Sequence, residues 1–259
     1  MKKDNITAIS VILTLILIVT TLVYYKTNIA SFNEHSNHSR RKFRSDQKYN
    51  LAHISAYEVH GIDVSHHQGD IVWNKVKHPD SARSIDFVFI RATVGTRQDS
   101  KFAKNWKQAK KHGFTRGAYH YYWPNVNSEI QARNFISKVK MEKGDLPPVL
   151  DIEKTSRVQS VANLRKGLKN WIAIVEKHYG VKPIVYTGDK FYDSYLKPDR
   201  YFREYPNLWI ANYNRVSEPY SKWHFWQFSE RTKISGINEL VDFNVFNGSI
   251  EDLLKLTKK

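Results

Sequence analysis

The chain has no cysteine among its 259 residues. That excludes disulfides, thiolate-ligated zinc and thiol catalysis. It does not exclude a place outside the cytoplasm, because a domain of this size has enough core to do without covalent staples. Metal-ligand spacing is missing too. His66 and His67 are adjacent and on a strand would face opposite ways, while His60, His112, His120, His178 and His224 stand at no ligating interval. No metal and no cofactor is expected. Zinc-finger, P-loop, RNP and dinucleotide fingerprints are absent, and from residue 59 onward so are internal repeats and low-complexity tracts. Acidic residues are scarce: 25 Asp and Glu face 41 Lys and Arg, for a net charge of +16. Such a surplus favours a polyanionic partner, whether nucleic acid, anionic lipid headgroups or an acidic cell-wall polymer. With no nucleic-acid motif beside it, nucleic acid is not the expected partner.

Aromatic residues are plentiful, at 14 % with 7 Trp and 15 Tyr. Most belong in a core, and the remainder suit a cleft that stacks flat, partly apolar ligands such as sugar rings or bases. At the start, Ile6 to Tyr25 runs 20 residues without a charge, the length of a bilayer's hydrocarbon core. The best cleavage exit after it, Asn28-Ile29-Ala30, is poor, so residues 1–26 read as an uncleaved transmembrane signal anchor rather than a removed signal peptide. Lys2 and Lys3 favour an inside N-terminus. Lys26 and the run Arg40-Arg41-Lys42-Phe43-Arg44 lie on the other flank, and counting basic residues alone favours the opposite orientation. Residues 27–57 read as a polar, basic linker, and residues 58–259 as the folded domain.

In that domain short β-rich runs alternate with amphipathic helical ones. Strands are expected at Val59–Ser65, Asp86–Thr93, Gly117–Trp123, Pro148–Glu153, Pro183–Thr187, Leu208–Asn212, His224–Phe228 and Leu240–Phe246. Helices are expected at Ile71–Lys77, Ser100–His112, Ser128–Met141 and Val158–His178, with a short turn near Phe191–Leu196. Such alternation implies a mostly parallel sheet with crossover connections. Eight strands fit a closed barrel, and the later connections are too short for full helices. The expected fold is therefore α/β, an irregular (β/α)8-type, TIM-like barrel with fewer than eight helices, its chemistry at the C-terminal strand ends.

Residues 147–153, Pro-Pro-Val-Leu-Asp-Ile-Glu, put two carboxylates two positions apart in a run that otherwise reads as a buried strand. Alternation turns Leu150 and Ile152 one way and Asp151 and Glu153 the other. Two steps along a strand span roughly 6.6 Å, the separation scale on which carboxylate pairs cleave glycosidic bonds. The same strand-end reading places Asp63, Tyr119, Tyr121, Tyr186, Trp209, Trp226 and Asp242 around one mouth. Helix capping accounts for any one of these acids, but poorly for four.

Nine segments in order then resemble a known family. They are Gly61-Ile-Asp-Val-Ser-His-His-Gln, Phe87-Val-Phe-Ile-Arg-Ala-Thr, Asp99-x-x-Phe102-x-x-Asn105-Trp106, Gly117-Ala-Tyr-His-Tyr, Pro148-Val-Leu-Asp-Ile-Glu, Tyr186-Thr-Gly, Leu208-Trp-Ile-Ala, Phe225-Trp-Gln-Phe-Ser and Val241-Asp-Phe-Asn. Together they resemble glycoside hydrolase family 25, the cell-wall muramidases often called lysozymes. The resemblance implies a flattened β/α barrel that hydrolyses the β-1,4 bond between N-acetylmuramic acid and N-acetylglucosamine in peptidoglycan. It assigns the acid to Glu153, its companion to Asp151, and the first- and last-strand aspartates to Asp63 and Asp242. Where such sequences commonly read Lys-x-Thr-Glu-Gly, this one has Arg91-Ala92-Thr93-Val94-Gly95.

On physical grounds Glu153 is the expected proton donor, with repulsion from Asp151 expected to keep its proton on. Tyr119, Tyr121, Tyr186, Trp209 and Trp226 are the expected substrate-binding aromatics. The expected partners are peptidoglycan strands and, through the N-terminal helix, a membrane; a monomer is expected, anchored by that helix with its domain in the periplasm or on the cell surface. The alternatives are a catalytically silent peptidoglycan-binding barrel and a chitinase-like glycosidase.

Overall fold

Period-two alternation sorts the apolar residues of this chain into two layers, one inside a ring of strands and one between that ring and its helices. A computed structural model describes residues 54–213 and 217–259. The expected span at residues 1–26 lies outside the described residues, and among those described no helix is long and apolar enough to cross a membrane. Strands β1 (Val59–Val64), β2 (Phe87–Val94), β4 (Thr115–Tyr121), β5 (Val149–Asp151), β6 (Ile184–Gly188), β7 (Leu208–Ala211), β8 (Phe225–Thr232) and β9 (Val241–Phe246) form the ring. It closes because β1 pairs with both β2 and β9. A two-residue strand, β3 (Arg97–Gln98), folds back antiparallel on the end of β2; the sequence reading did not anticipate it.

From β1 to β8 every neighbouring pair in the ring is parallel, whereas β9 runs antiparallel to both β8 and β1. The cause is chain length. Only residues 233–240 separate β8 from β9, and a parallel crossover needs about a dozen residues or more. β9 therefore returns as a hairpin, and its beginning, not its end, lies at the mouth where the other strands finish.

The inner layer holds Val59, Phe87, Phe89, Val149, Ile184, Phe225 and Phe246 at its base, with Tyr119, Tyr186 and Trp209 above them. Phe87 and Phe89 need room at the barrel axis. Gly61 and Gly117 provide it: a Cβ on Gly61 would stand 2.3 Å from the Phe87 ring, and one on Gly117 2.6 Å from that of Phe89. The outer layer packs Ile62, Val88, Ile90, Leu150, Ile152, Val185 and Ile210 beneath the helices.

Six helices are described: α1 (Phe102–Lys111), α2 (Ser128–Lys138), α3 (Val161–Tyr179), α4 (Asp189–Phe191), α5 (Arg200–Arg203) and α6 (Ile250–Leu256). The 19-residue α3 shows why these segments fold as they do. Leu164, Leu168, Trp171, Ile172, Val175 and Tyr179 make one apolar face, the Ser160 side chain accepts from the Asn163 N–H at one end, and Gly180 stops the helix at the other with φ of 71°. The expected helix at Ile71–Lys77 does not form. A single 3-10 turn, Trp73–Lys75, takes its place, with Trp73 buried. Residues 54–57, read as linker, pack on the barrel: Ile54 is buried and Arg83 donates to the carbonyls of Ser55 and Tyr57.

Candidate active site

At the mouth, a cavity of about 260 Å³ is lined by Asp63, Asp151, Glu153 and Asp242, by Tyr119, Tyr121, Tyr186 and Trp209, and by Arg91, Tyr213, Gln227 and Glu230 among others. Eight of the nine residues expected at the site on sequence grounds are thus brought together. The ninth, Trp226, is not. Phe225 and Gln227 face inward, so Trp226 must face out; it is buried among Trp223, Phe228 and Tyr57, and its indole N–H donates to the Asn212 carbonyl at 2.8 Å. Trp226 belongs to the outer layer and not to the substrate surface.

Asp63 and Asp242 are direct partners in the β1–β9 ladder. Asp63 Oδ2 accepts from Gln227 Nε2 and from Asn244 Nδ2, each at 2.8 Å. Those amides are themselves fixed. Tyr186 and Tyr213 donate their hydroxyls to Gln227 Oε1 at 2.8 and 2.7 Å, and the Trp209 indole donates to Asn244 Oδ1 at 2.9 Å. Trp209 is 1 % exposed, so it forms the floor and holds Asn244 in place, leaving the half-buried Tyr121 as the more open aromatic wall. Burial raises both acids; the amide donors and the hydrogen bond from Asp242 act against this at Asp63, whereas the Asp63 charge raises Asp242 further. The pair therefore holds its proton on Asp242 and its charge on Asp63.

Asp151 ends β5, with Glu153 two residues on and on the same side. Asp151 is raised well above the usual carboxylate range by burial, then by the charges of Glu153 and Asp63. Its Oδ1 is buried without a hydrogen-bond partner. Glu153 stands at the open rim. Burial raises it, while Lys154, a hydrogen bond from Asp151 and Arg91 pull the other way. Desolvation of both carboxyls and their mutual repulsion hold a proton on the pair. Of the two residues, Asp151 is buried and Glu153 exposed.

Arg91 is the positive charge within this acidic ring. The β2–β4 register shifts between Arg91 and Thr93, the kind of irregularity that re-aims a side chain. Arg91 Nε donates to Asp99 Oδ2 at 2.9 Å, and the buried Asp99 also accepts from the backbone N–H groups of His66 and Lys101. An arginine directly after the apolar run Phe87-Val-Phe-Ile, at an inward-facing position, was the available signal for this residue; Gln227 between Trp226 and Phe228 was the same signal on β8. Val94, at the turn into β3, is not among the residues lining the cavity. Among the described residues no group of three or more His, Cys, Asp and Glu is placed to hold a metal ion.

A closed, mostly parallel barrel with carboxyl pairs at its mouth has the groups that glycoside hydrolysis needs. The model of glycosyl hydrolases family 25 matches residues 62–237, and the chain belongs to that family. It is 42 % identical over 215 residues to the protein YegX of Escherichia coli K12, covering 82 % of this chain and 78 % of that one. Lysozyme M1 of Streptomyces globisporus is 33 % identical over 213 residues, covering 76 % of this chain and 71 % of its own. Among solved structures, a family 25 glycosyl hydrolase from Bacillus anthracis aligns with a TM-score of 0.69 at 33 % identity, over 78 % of this chain and 95 % of its own. The bacterial lysozyme of Streptomyces coelicolor gives 0.70 at 32 %, over 77 % and 97 %. The chain is a glycoside hydrolase of the muramidase family.

Proposed function

We propose that the domain hydrolyses the β-1,4 bond between N-acetylmuramic acid and N-acetylglucosamine in peptidoglycan, with Glu153 as general acid and Asp151 as the group that aligns the substrate. The observation that carries this reading is the buried, unpartnered Oδ1 of Asp151 in the same cavity as the rim carboxyl of Glu153, two residues on. An acetamido N–H arriving at Asp151 gives that carboxylate a donor and favours its charged form, so the pair's proton passes to Glu153. Glu153 then gives it to the leaving glycosidic oxygen as the C–O bond breaks. The acetamido oxygen, aligned by Asp151, closes on the anomeric carbon; water opens the resulting ring, losing a proton to Glu153 and restoring the acid. The free oxygen on Asp151 favours this substrate-assisted route over direct attack by water. Asp63, bound by two amides, keeps a negative charge under the developing oxocarbenium.

The hydrophobic segment of residues 6–25 supports a further part of the reading: the protein is held in a membrane with its domain on the peptidoglycan side. The test of the chemistry is mass spectrometry of fragments released from purified peptidoglycan. Wild-type protein is expected to yield reducing-end N-acetylmuramic acid, and Glu153→Gln to yield none while keeping its circular dichroism spectrum. Reducing-end N-acetylglucosamine would move the cleaved bond, and turnover by folded Glu153→Gln would remove Glu153 from the role.

A further inference from the structure

Lysines gather at the end of the barrel opposite the mouth. The carboxyls sit where the parallel strands finish, and helices following those strands run back toward the other end. There α1 finishes in Lys110 and Lys111, and α2 in Lys138. Lys140 and Lys143 follow on the loop into β5, and they are exposed. The C-terminal tail lies along that loop: Gly144 N–H donates to the Lys258 carbonyl, Lys258 N–H to the Asp145 carbonyl, and Lys258 Nζ to the Met141 carbonyl at 3.3 Å. Seven lysines (110, 111, 138, 140, 143, 258 and 259) therefore share one surface. Exposed acids share this end: Glu142 is taken by Lys110 and Arg116 and Asp252 by Lys255, while Glu58 and Glu251 stand at the start of α6; Asp145 is buried against Arg116. Compensation of helix dipoles explains Lys110, Lys111 and Lys138. It does not explain the loop and tail lysines, which end no helix.

A second observation concerns where the chain enters. β1 begins at this same end, and Glu58, just before it, accepts from the N–H of Ile250 at the start of α6, the helix that leads into Lys258. The described chain thus enters the barrel on its lysine-bearing end, and the sequence before it holds the 20-residue apolar run and the basic run Arg40–Arg44. We propose that this end is a membrane-facing platform that binds anionic lipid headgroups and so points the catalytic mouth away from the bilayer. The inference rests on the tethered reading above. Each basic residue near an anionic leaflet contributes ~1 kcal/mol, within a Debye length of the surface.

The experiment uses the full chain with vesicles of phosphatidylcholine alone and of phosphatidylcholine mixed equally with phosphatidylglycerol. Flotation and carbonate extraction report insertion, and lysine methylation read by mass spectrometry reports which end is covered. In mixed vesicles at low salt, Lys138, Lys140 and Lys143 are expected to react on the order of fivefold more slowly than in phosphatidylcholine, the equivalent of ~1 kcal/mol. Lys154 and Lys166, at the mouth end, are expected to be unchanged. High salt, or the triple variant Lys138→Glu/Lys140→Glu/Lys143→Glu, is expected to abolish the difference.

An inserted chain with equal reactivity in both vesicles overturns the platform and leaves the tether standing. A chain that resists insertion, yet floats with mixed vesicles and shows the same protection, overturns the tether and keeps the platform. Flotation with neither overturns both. Protection by purified cell wall but by neither vesicle assigns the surface to wall polymer and overturns the lipid proposal.

Discussion

Asp242 enters the folded protein as an acid that prefers its proton. Burial and the neighbouring Asp63 charge hold its carboxyl well above the unfolded value. Between the unfolded and folded pKa values the native state binds more protons than the unfolded one, so this residue's contribution to stability is complete at low pH and falls as pH rises. Asp242→Asn supplies the hydrogen bond to Asp63 without the titration. It is expected to raise stability at pH 7 by on the order of 1 kcal/mol or more, with the gain vanishing near pH 4; urea unfolding at the two pH values measures it. A gain independent of pH would mean that Asp242 is ionised in the native state. His60 works in the opposite sense. Burial, with the facing His78, lowers it to about 4, so its neutral native form favours folding above the unfolded pKa and loses ground as pH falls from about 6.5 toward 4.

At the scale of elements, the strands were legible because period-two alternation and β-branched runs mark them directly, and so were α1, α2 and α3 from their apolar faces. The same alternation could have excluded Trp226: once Gln227 is placed at the mouth, its neighbour on β8 must turn outward. Missing from the sequence reading was direction. Asp242 lies at the start of its strand, and in an all-parallel barrel it would sit at the far end from Asp63; the eight-residue connection 233–240 held the reason it does not. Ile71–Lys77 misled because its apolar spacing reflects Trp73 and Ile71 plugging the outer layer from an irregular segment, not a helical face. On β1, the close approach of Phe87 makes Gly61→Ala a test of inner packing. Overfilling at 2.3 Å is expected to cost about 1–3 kcal/mol, read as a lower urea midpoint with an unchanged m-value, whereas an alanine on the outer face at Val88 would cost through a cavity instead.

On the scale of the whole molecule, a net charge of +16 surrounds an acidic mouth. Peptidoglycan carries carboxylates, so retention on the wall should fall as salt rises and surface contacts are screened over roughly 8 Å at physiological ionic strength. Turnover of a short soluble fragment is expected to change little over the same range, because Asp63 and Asp151 are buried and little screened by salt. Co-sedimentation with purified wall and steady-state kinetics separate the two; equal salt sensitivity in both would place the basic surplus in the chemical step. The antiparallel last strand has one more consequence, for the order in which activity appears. Asp63 and Asp242 are 179 positions apart in the chain and meet only through the β1–β9 ladder, so the site is finished by the same contact that seals the ring. Synthesis runs from the N-terminus, and contacts this distant in sequence form late. A chain cut before residue 241 would keep Glu153 and Asp151 and still lack the seam that fixes Asp63. The nascent hydrolase is therefore expected to be silent until its last strand has emerged, a built-in delay on an enzyme that dissolves walls.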